Sequence, residues 1–333
     1  MASAHERQLS ERIRRATGAS HVELGERVQQ LWGGYGELRR VQLQGTRIHS
    51  AIVKIVSPPA EREFARDAAK LRSHRRKLRS YQIELAFYQD YAKHSEPAWR
   101  VPELLFGEAH AGRFLLGLED LDQAGFPERR SRCSAQEIAA CLAWLAAFHA
   151  RFLGTSPDVL WKVGSYWHLA TRPDELARLE SVELRRAAAG IDQRLNSARF
   201  RTLVHGDAKL ANFCFSRAGQ DVAAVDFQYV GGGVGVKDVA YFLSSCLSPG
   251  ECDRHVAAYI DLYFDALRTA LSVRNSPLSP EYGELEAEWR ALFPWAWADF
   301  QRFLLGWAPA YAKREFYGET QLGVVLSALR ACD

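Results

Sequence analysis

The sequence predicts an α+β chain in two parts, a small strand-rich part followed by a larger, mainly helical one. Three patterns carry that prediction. Strand-like segments crowd into the first 120 residues together with one long helical stretch. Helical spacing dominates after Asp120, and one short hairpin interrupts it between residues 212 and 227.

In order along the chain, "RVQQLW" (27–32) and "ELRRVQL" (37–43) read as strands around the turn "GGYG". "SAIVKIV" (50–56) alternates and is β-branched, as a half-buried strand should be. The two prolines of "SPPAEREF" cannot continue a ladder and end it. A basic run from Arg72 to Arg79 then reads as a solvated helix start leading into "YQIELAFYQDYA". There Ile83, Phe87 and Tyr91 recur at helical spacing. "RFLLGLEDL" (113–121) is a further strand. Beyond it, Ile138, Leu142, Leu145, His149 and Phe152 form one helical stripe, with His149 a core histidine. "NFCFS" and "DVAAVDF" pair as the hairpin. This layout divides the chain at residues 1–120 and 121–333, and 333 residues are enough for two moderate cores.

Composition narrows the function. A net charge of +3 is too small to make nucleic acid or a membrane surface the expected partner. No apolar run follows Met1, so no secretory leader is expected. The cysteines at 133, 141, 214, 246, 252 and 332 are scattered without a C-x-x-C pair, which reads as reduced thiols in a cytoplasmic protein.

The chemistry concentrates in "HGDAKLANF" (205–213) and "VDFQ" (225–228). A hairpin returns the chain to its starting edge, so Asp226 is expected beside Asn212, with Asp207 close by. Two hard oxygen donors of that kind, completed by water and phosphate oxygens, suit Mg²⁺. Lys209 adds a cation that can neutralise a phosphate. The set fits phosphoryl transfer, where a protein chiefly positions groups and screens charge.

"HGDAKLAN" together with "VDFQ" resembles the catalytic loop and metal-binding element of the aminoglycoside phosphotransferase and choline kinase superfamily, itself similar to protein kinases. "LWGGYGEL", "RKLRSYQIE", "LEDLDQAGF" and "SYWHLATRPDE" look closest to the ecdysteroid-kinase-like, choline-kinase-like bacterial proteins. The resemblance implies a two-lobed protein-kinase-like fold, with a nucleotide-binding antiparallel-sheet lobe and a helical catalytic and acceptor-binding lobe. It implies an ATP- and Mg²⁺-dependent kinase that moves the γ-phosphoryl group to a hydroxyl of a small molecule. The acceptor would be a choline-like compound, a sterol- or terpenoid-like alcohol, or a hydroxylated antibiotic.

Residue by residue, the resemblance makes Asp207 and Lys209 catalytic and Asn212 and Asp226 the metal ligands. His205 becomes architectural. Lys54, held by Glu84, would fix the nucleotide phosphates. The Glu119 carbonyl and Leu121 amide would bond the adenine edge, and Gly33, Gly34 and Gly36 would cover the phosphates. The loop "GGYGE" departs from the protein-kinase G-x-G-x-x-G pattern. Choline kinases line their acceptor pocket with aromatics from C-terminal helices, which points to Trp295, Trp297 and Asp299. Trp167, in the polar-aromatic stretch 166–175, could line the same cleft.

Two other readings compete. A catalytically silent pseudokinase would lack one of Lys54, Asp207, Asn212 or Asp226, and all four are present. A dinucleotide-dependent oxidoreductase could use "GGGVG" (231–235), but the third glycine and the following βαβ pattern are missing. The expectation there is a flexible segment, with Asp238 capping the next helix.

Overall fold

The structure is a computed structural model that describes residues 4–274, 281–312 and 316–331; Cys332 lies outside them. It opens with a helix the sequence reading did not anticipate, α1 (Ala4–Thr17). Among its described apolar side chains, Leu9 and Ile13 are buried, at i and i+4, and they seat it on the sheet. So few apolar positions leave little signal in a polar segment.

The sheet is antiparallel throughout. β1 (His21–Gln30) pairs with β2 (Gly36–Gln44), and β2 with β3 (Ser50–Val56). The long helix α2 (Ala68–Asp90) follows, then β4 (Leu104–His110) and β5 (Arg113–Glu119), giving the order β1-β2-β3-β5-β4. β1 begins at His21 rather than near Arg27, because Val22 and Leu24 are the residues that reach the core. β4 was not expected: a register shift between Leu104 and Phe106 and the glycine at 107 break its alternation.

β3 shows how the pleat aims a charge. Ala51 and Val53 are buried on the face covered by α1. Val56 joins the core on the opposite face, and alternation puts Lys54 there too. A lysine in an apolar strand is thus delivered to the side where α2 lies.

The larger lobe contains α3 (Ala135–Arg151), α4 (Pro173–Ala177) and α5 (Val182–Asn196). The short strands β6 (Thr202–Val204), β7 (Phe213–Phe215), β8 (Val222–Ala224) and β9 (Gly231–Gly233) follow. α6 (Val236–Cys246), α7 (Pro249–Val273), α8 (Tyr282–Trp307), α9 (Pro309–Ala312) and α10 (Phe316–Arg330) complete it. Ser134 starts α3 with a capping box closed by Glu137, and the expected stripe from Ile138 to Phe152 is buried. Among the described residues no helix is long and apolar enough to cross a membrane.

Two expectations are corrected here. β9 is a buried strand paired with β6, so the glycine run is no flexible segment. A Cβ at Gly231 would lie 2.1 Å from the Trp161 carbonyl oxygen, so the glycine permits a close backbone crossing and leaves no room for a dinucleotide. The basic run of α2 is not simply a solvated helix start either. Arg76 Nη1 donates to the Thr171 carbonyl at 2.9 Å and Arg79 Nη2 to that of Val159 at 2.9 Å. Arg72 pairs with Asp174. Three arginines on one side of the helix therefore clasp the other lobe.

One apolar core runs between the lobes. Phe87 of α2 stacks on Phe227 with centroids 4.0 Å apart and planes at 13°. Truncating a buried phenylalanine of this kind costs about 3–5 kcal/mol. Because Phe227 follows Asp226, the stack also fixes that aspartate relative to α2.

Candidate active site

Lys54 meets Glu84 in a two-oxygen contact, Nζ lying 2.9 and 2.7 Å from Oε1 and Oε2. Both side chains are buried. Burial works against the ammonium, but the Glu84 and Asp226 carboxylates overcome it and hold the Lys54 pKa above the usual lysine range. Gln228 Nε2 donates to Glu84 Oε2 at 3.4 Å. Lys54 Nζ also lies 3.4 Å from Asp226 Oδ1, so the sheet lysine reaches the hairpin aspartate of the other lobe.

The hairpin delivers that aspartate as expected. Phe213 pairs with Ala224, and the Val225 amide donates to the Asn212 carbonyl at 2.9 Å. Asp226 then turns into the left-handed region at φ 70°, uncommon for a residue other than glycine and tolerated best by Asn and Asp. Burial alone would raise its pKa; Lys54 and Lys209 reverse the sign and keep it below the ordinary aspartate value.

Asp207 is buried, and its Oδ2 takes Lys209 Nζ at 2.9 Å and Asn212 Nδ2 at 3.1 Å. Asn212 Nδ2 also reaches the Asp207 carbonyl at 2.7 Å. Oδ1 is buried without a hydrogen-bond partner. Burial pushes the Asp207 carboxyl above its usual pKa; Lys209 pulls against that shift and the Asp226 charge adds to it. His205 Nδ1 accepts the Asp207 amide at 3.2 Å and its Nε2 faces the Val225 carbonyl at 3.0 Å. Both ring nitrogens are committed, which leaves the imidazole an architectural part.

Comparison with known proteins follows from this geometry. Residues 167–275, which carry both the 205–212 loop and the hairpin, match the model of the ecdysteroid kinase-like family. An amicoumacin kinase solved with AMP-PNP, Ca²⁺ and Ami superposes with a TM-score of 0.55 at 14% identity, covering 98% of this chain and 95% of that one. The fold is protein-kinase-like. An ethanolamine kinase of Plasmodium vivax gives a TM-score of 0.51 at 12% identity, over 96% of this chain and 84% of that chain. No curated protein matches the chain significantly.

Within the kinase-like fold, the donor set can be tested against a magnesium ion. Asn212 turns its amide nitrogen to Asp207, which leaves its carbonyl oxygen for another partner. Asp226 keeps 36% of its side chain accessible, and Asp207 holds a buried oxygen with no partner. Among the described residues no group of three His, Cys, Asp or Glu side chains forms a metal cage. Mg²⁺ needs none, because it takes one or two protein oxygens and completes its shell with waters and phosphates. The residues fit the ion.

The remaining predicted positions are placed as follows. Gly33 and Gly34 form the turn between β1 and β2, and Gly36 opens β2. Glu119 ends β5, and its carboxylate takes the Glu103 amide at 3.0 Å. The amide of the buried Leu121 has no partner among the described residues. Trp167 is fully buried and donates from Nε1 to Asp299 Oδ2 at 3.0 Å. Asp299 is buried in ion pairs with Lys237 at 3.3 Å and Arg302 at 2.8 Å. Trp297 packs edge-on against Tyr317 at 4.7 Å inside the helical core, and Trp295 packs half-buried against that core. The structure thus brings Trp167 and Asp299 together and leaves Trp295 and Trp297 as packing residues.

The sequence reading missed what α6 does. Asp238 is not its cap; Gly235 is. The Asp238 carboxylate instead accepts the His205 amide at 2.6 Å, the Gly206 amide at 2.9 Å and His149 Nε2 at 3.1 Å. Ser245 Oγ accepts the Leu210 amide at 2.8 Å. Tyr241 lies between them along the helix, its phenol pushed well above the usual value by burial and by the neighbouring Asp207 charge. Positions 238, 241 and 245 share one helical face, and that i, i+3, i+7 spacing was the available signal. Tyr241 further packs edge-on against Trp167 at 4.9 Å and tilts against Phe300 at 4.6 Å. An aromatic wall therefore stands beside Asp207, built from three separate elements.

Proposed function

We propose that this chain is an ATP- and Mg²⁺-dependent phosphotransferase that moves the γ-phosphoryl group to a hydroxyl of a small molecule. The observation that carries the reading is the contact across the lobes. Lys54, already paired with Glu84, reaches Asp226 at 3.4 Å, while Asp226 stands beside the Asp207–Lys209–Asn212 cluster. The lobe of residues 1–120 would hold the nucleotide, with the Glu119 carbonyl and Leu121 amide on the adenine edge. Residues 121–333 would hold the acceptor.

In this reading Lys54 grips the α- and β-phosphates and Glu84 keeps it extended. Asn212 and Asp226 hold the divalent ion, which supplies charge neutralisation for the phosphate oxygens. Asp207 accepts the acceptor hydroxyl proton and aligns the nucleophile through its carboxylate, beside the Tyr241 phenol. Lys209 holds Oδ2 and screens charge developing on the transferred group. A raised carboxyl pKa brings Asp207 closer to the operating pH and makes it a better general base.

Two of the compared kinases are named for amicoumacin and ethanolamine, acceptors of quite different shape. For this chain, the partly exposed rings of Tyr241 and Phe300, backed by the buried Trp167, support an acceptor with an apolar or cationic body beside its hydroxyl. Cys133, Cys141, Cys214 and Cys246 form no disulfide among the described residues, which fits a cytoplasmic setting. A panel of choline-like, terpenoid-like and antibiotic alcohols, scored by ADP release with Mg²⁺ and ATP, tests the reading. Turnover with one class, lost in Asp207→Asn, supports it. ATP-dependent stabilisation without turnover on any alcohol would favour the silent pseudokinase instead.

A further inference from the structure

Lys77 and Glu84 lie on one face of α2, because they are seven positions, or two turns, apart. Glu84 serves Lys54. Lys77 goes to the turn between β1 and β2, where its Nζ lies 2.7 Å from the position a Cβ on Gly33 would occupy. The ammonium also sits 4.5 Å from the centroid of the Tyr35 ring. That ring is held in place by a 2.6 Å hydrogen bond between its hydroxyl group and His74 Nδ1. A lysine thus supports the glycine turn from beneath, at the point where this loop departs from the G-x-G-x-x-G pattern.

The charge around Lys77 is unbalanced. Among the described residues no carboxylate pairs with it. Burial depresses its pKa, and the charges that add to the shift are those of Arg76 and Arg172. Arg172 is 2% exposed, and its Nη2 has no hydrogen-bond partner. Arg76 Nε is likewise buried and unpartnered. Glu175 offsets Arg172 through one contact at 3.3 Å, so the group as a whole stays cationic. Buried and half-buried cations facing one another are costly unless an anion joins them.

We propose that Lys77 is a phosphate-binding residue that takes the terminal phosphate of a nucleoside triphosphate under the Gly33–Gly34 turn. The inference rests on the phosphotransferase reading and adds to it a contact that distinguishes a triphosphate from a diphosphate. Lys54 grips the inner phosphates from the sheet, and Lys77 grips the outer one from the helix. The glycine at 33, already favoured by its φ of 71°, then also leaves the ammonium its space.

Calorimetric affinities for AMP-PNP and ADP, both with Mg²⁺, test the assignment in the full chain. Lys77→Met should weaken AMP-PNP by about tenfold or more while leaving ADP within about twofold, because only the triphosphate loses a charge-assisted contact. Intact ADP binding doubles as the folding control, and Lys77→Gln is the second variant should the methionine form melt early. Equal losses for both nucleotides in a folded variant, or no loss for either, overturn the proposal. So does a change confined to the KM of the acceptor, which would place an anionic acceptor group there. Wild-type protein that binds neither nucleotide would sink the phosphotransferase reading itself, whereas normal wild-type binding with insensitivity to Lys77 sinks only this inference.

Discussion

Lys54 Nζ stands 3.4 Å from Asp226 Oδ1, although 172 residues separate the two in sequence. That contact joins the sheet of one lobe to the hairpin of the other, and α2 enforces it from the side. Glu84 clamps the lysine, and Phe87, three residues further on, stacks on the residue after Asp226. The helix therefore sets both partners with one face.

The Lys54–Glu84 pair makes a prediction about stability and binding together. Removing one partner leaves a buried charge alone, so Lys54→Met should lower unfolding free energy by about 3–5 kcal/mol in urea titrations. The double variant Lys54→Met/Glu84→Leu should recover most of that loss while nucleotide affinity stays low. Recovery of affinity in the double variant would disprove the role given to the lysine.

Asp207→Asn should lower turnover on any identified alcohol by about 10²–10⁴-fold with AMP-PNP affinity near normal. The same variant should melt no lower than wild type at neutral pH. Burial raises the folded-state pKa of Asp207, so the favourable contribution of its protonated form is complete below the unfolded value and is lost as pH rises through the raised one. At neutral pH the ionised group is the less stable form, and asparagine removes it. A variant that melts well below wild type would contradict this sign.

Turnover should also depend on pH in the same sense. The reactive form of Asp207 is ionised, so activity should fall on the acid side at a pH above the range of an ordinary aspartate. Lys209→Met, which removes the group that counters the burial, should move that limb to still higher pH. A kcat profile of the two proteins decides it, and a limb that stays in place argues against the Asp207–Lys209 coupling.

Asp238→Ala should cost about 3 kcal/mol or more, since it strands two backbone amides and His149 in a buried site. Denaturant titration measures this, and nucleotide affinity should suffer less than turnover because the 205–207 backbone is what the carboxylate holds.

On the aromatic wall, Tyr241→Ala should raise the acceptor KM several-fold while leaving the KM for ATP unchanged, and Tyr241→Phe should do less. An equal effect on both constants would remove Tyr241 from the acceptor side.

Much of this arrangement was legible in the chain. The offsets of Asp207, Asn212 and Asp226 fixed their proximity, because a two-strand hairpin can only return its end beside its start. The alternation of "SAIVKIV" put Lys54 on one face, and the stripe from Ile138 to Phe152 marked a buried helix face. Local periods of two and 3.6 residues are properties of the backbone, so sequence carries them directly.

What sequence determined by itself was the chemistry at hand and the local geometry that displays each group. Tertiary structure alone decided who meets whom: that Arg72, Arg76 and Arg79 clasp the second lobe, that Trp297 and Asp299 are buried, that Asp238 holds the 205–207 backbone, and that Lys77 comes to rest beneath Gly33. The physical reason is that such contacts depend on which distant element each face packs against and on distances set by those elements. No spacing within a single segment encodes either.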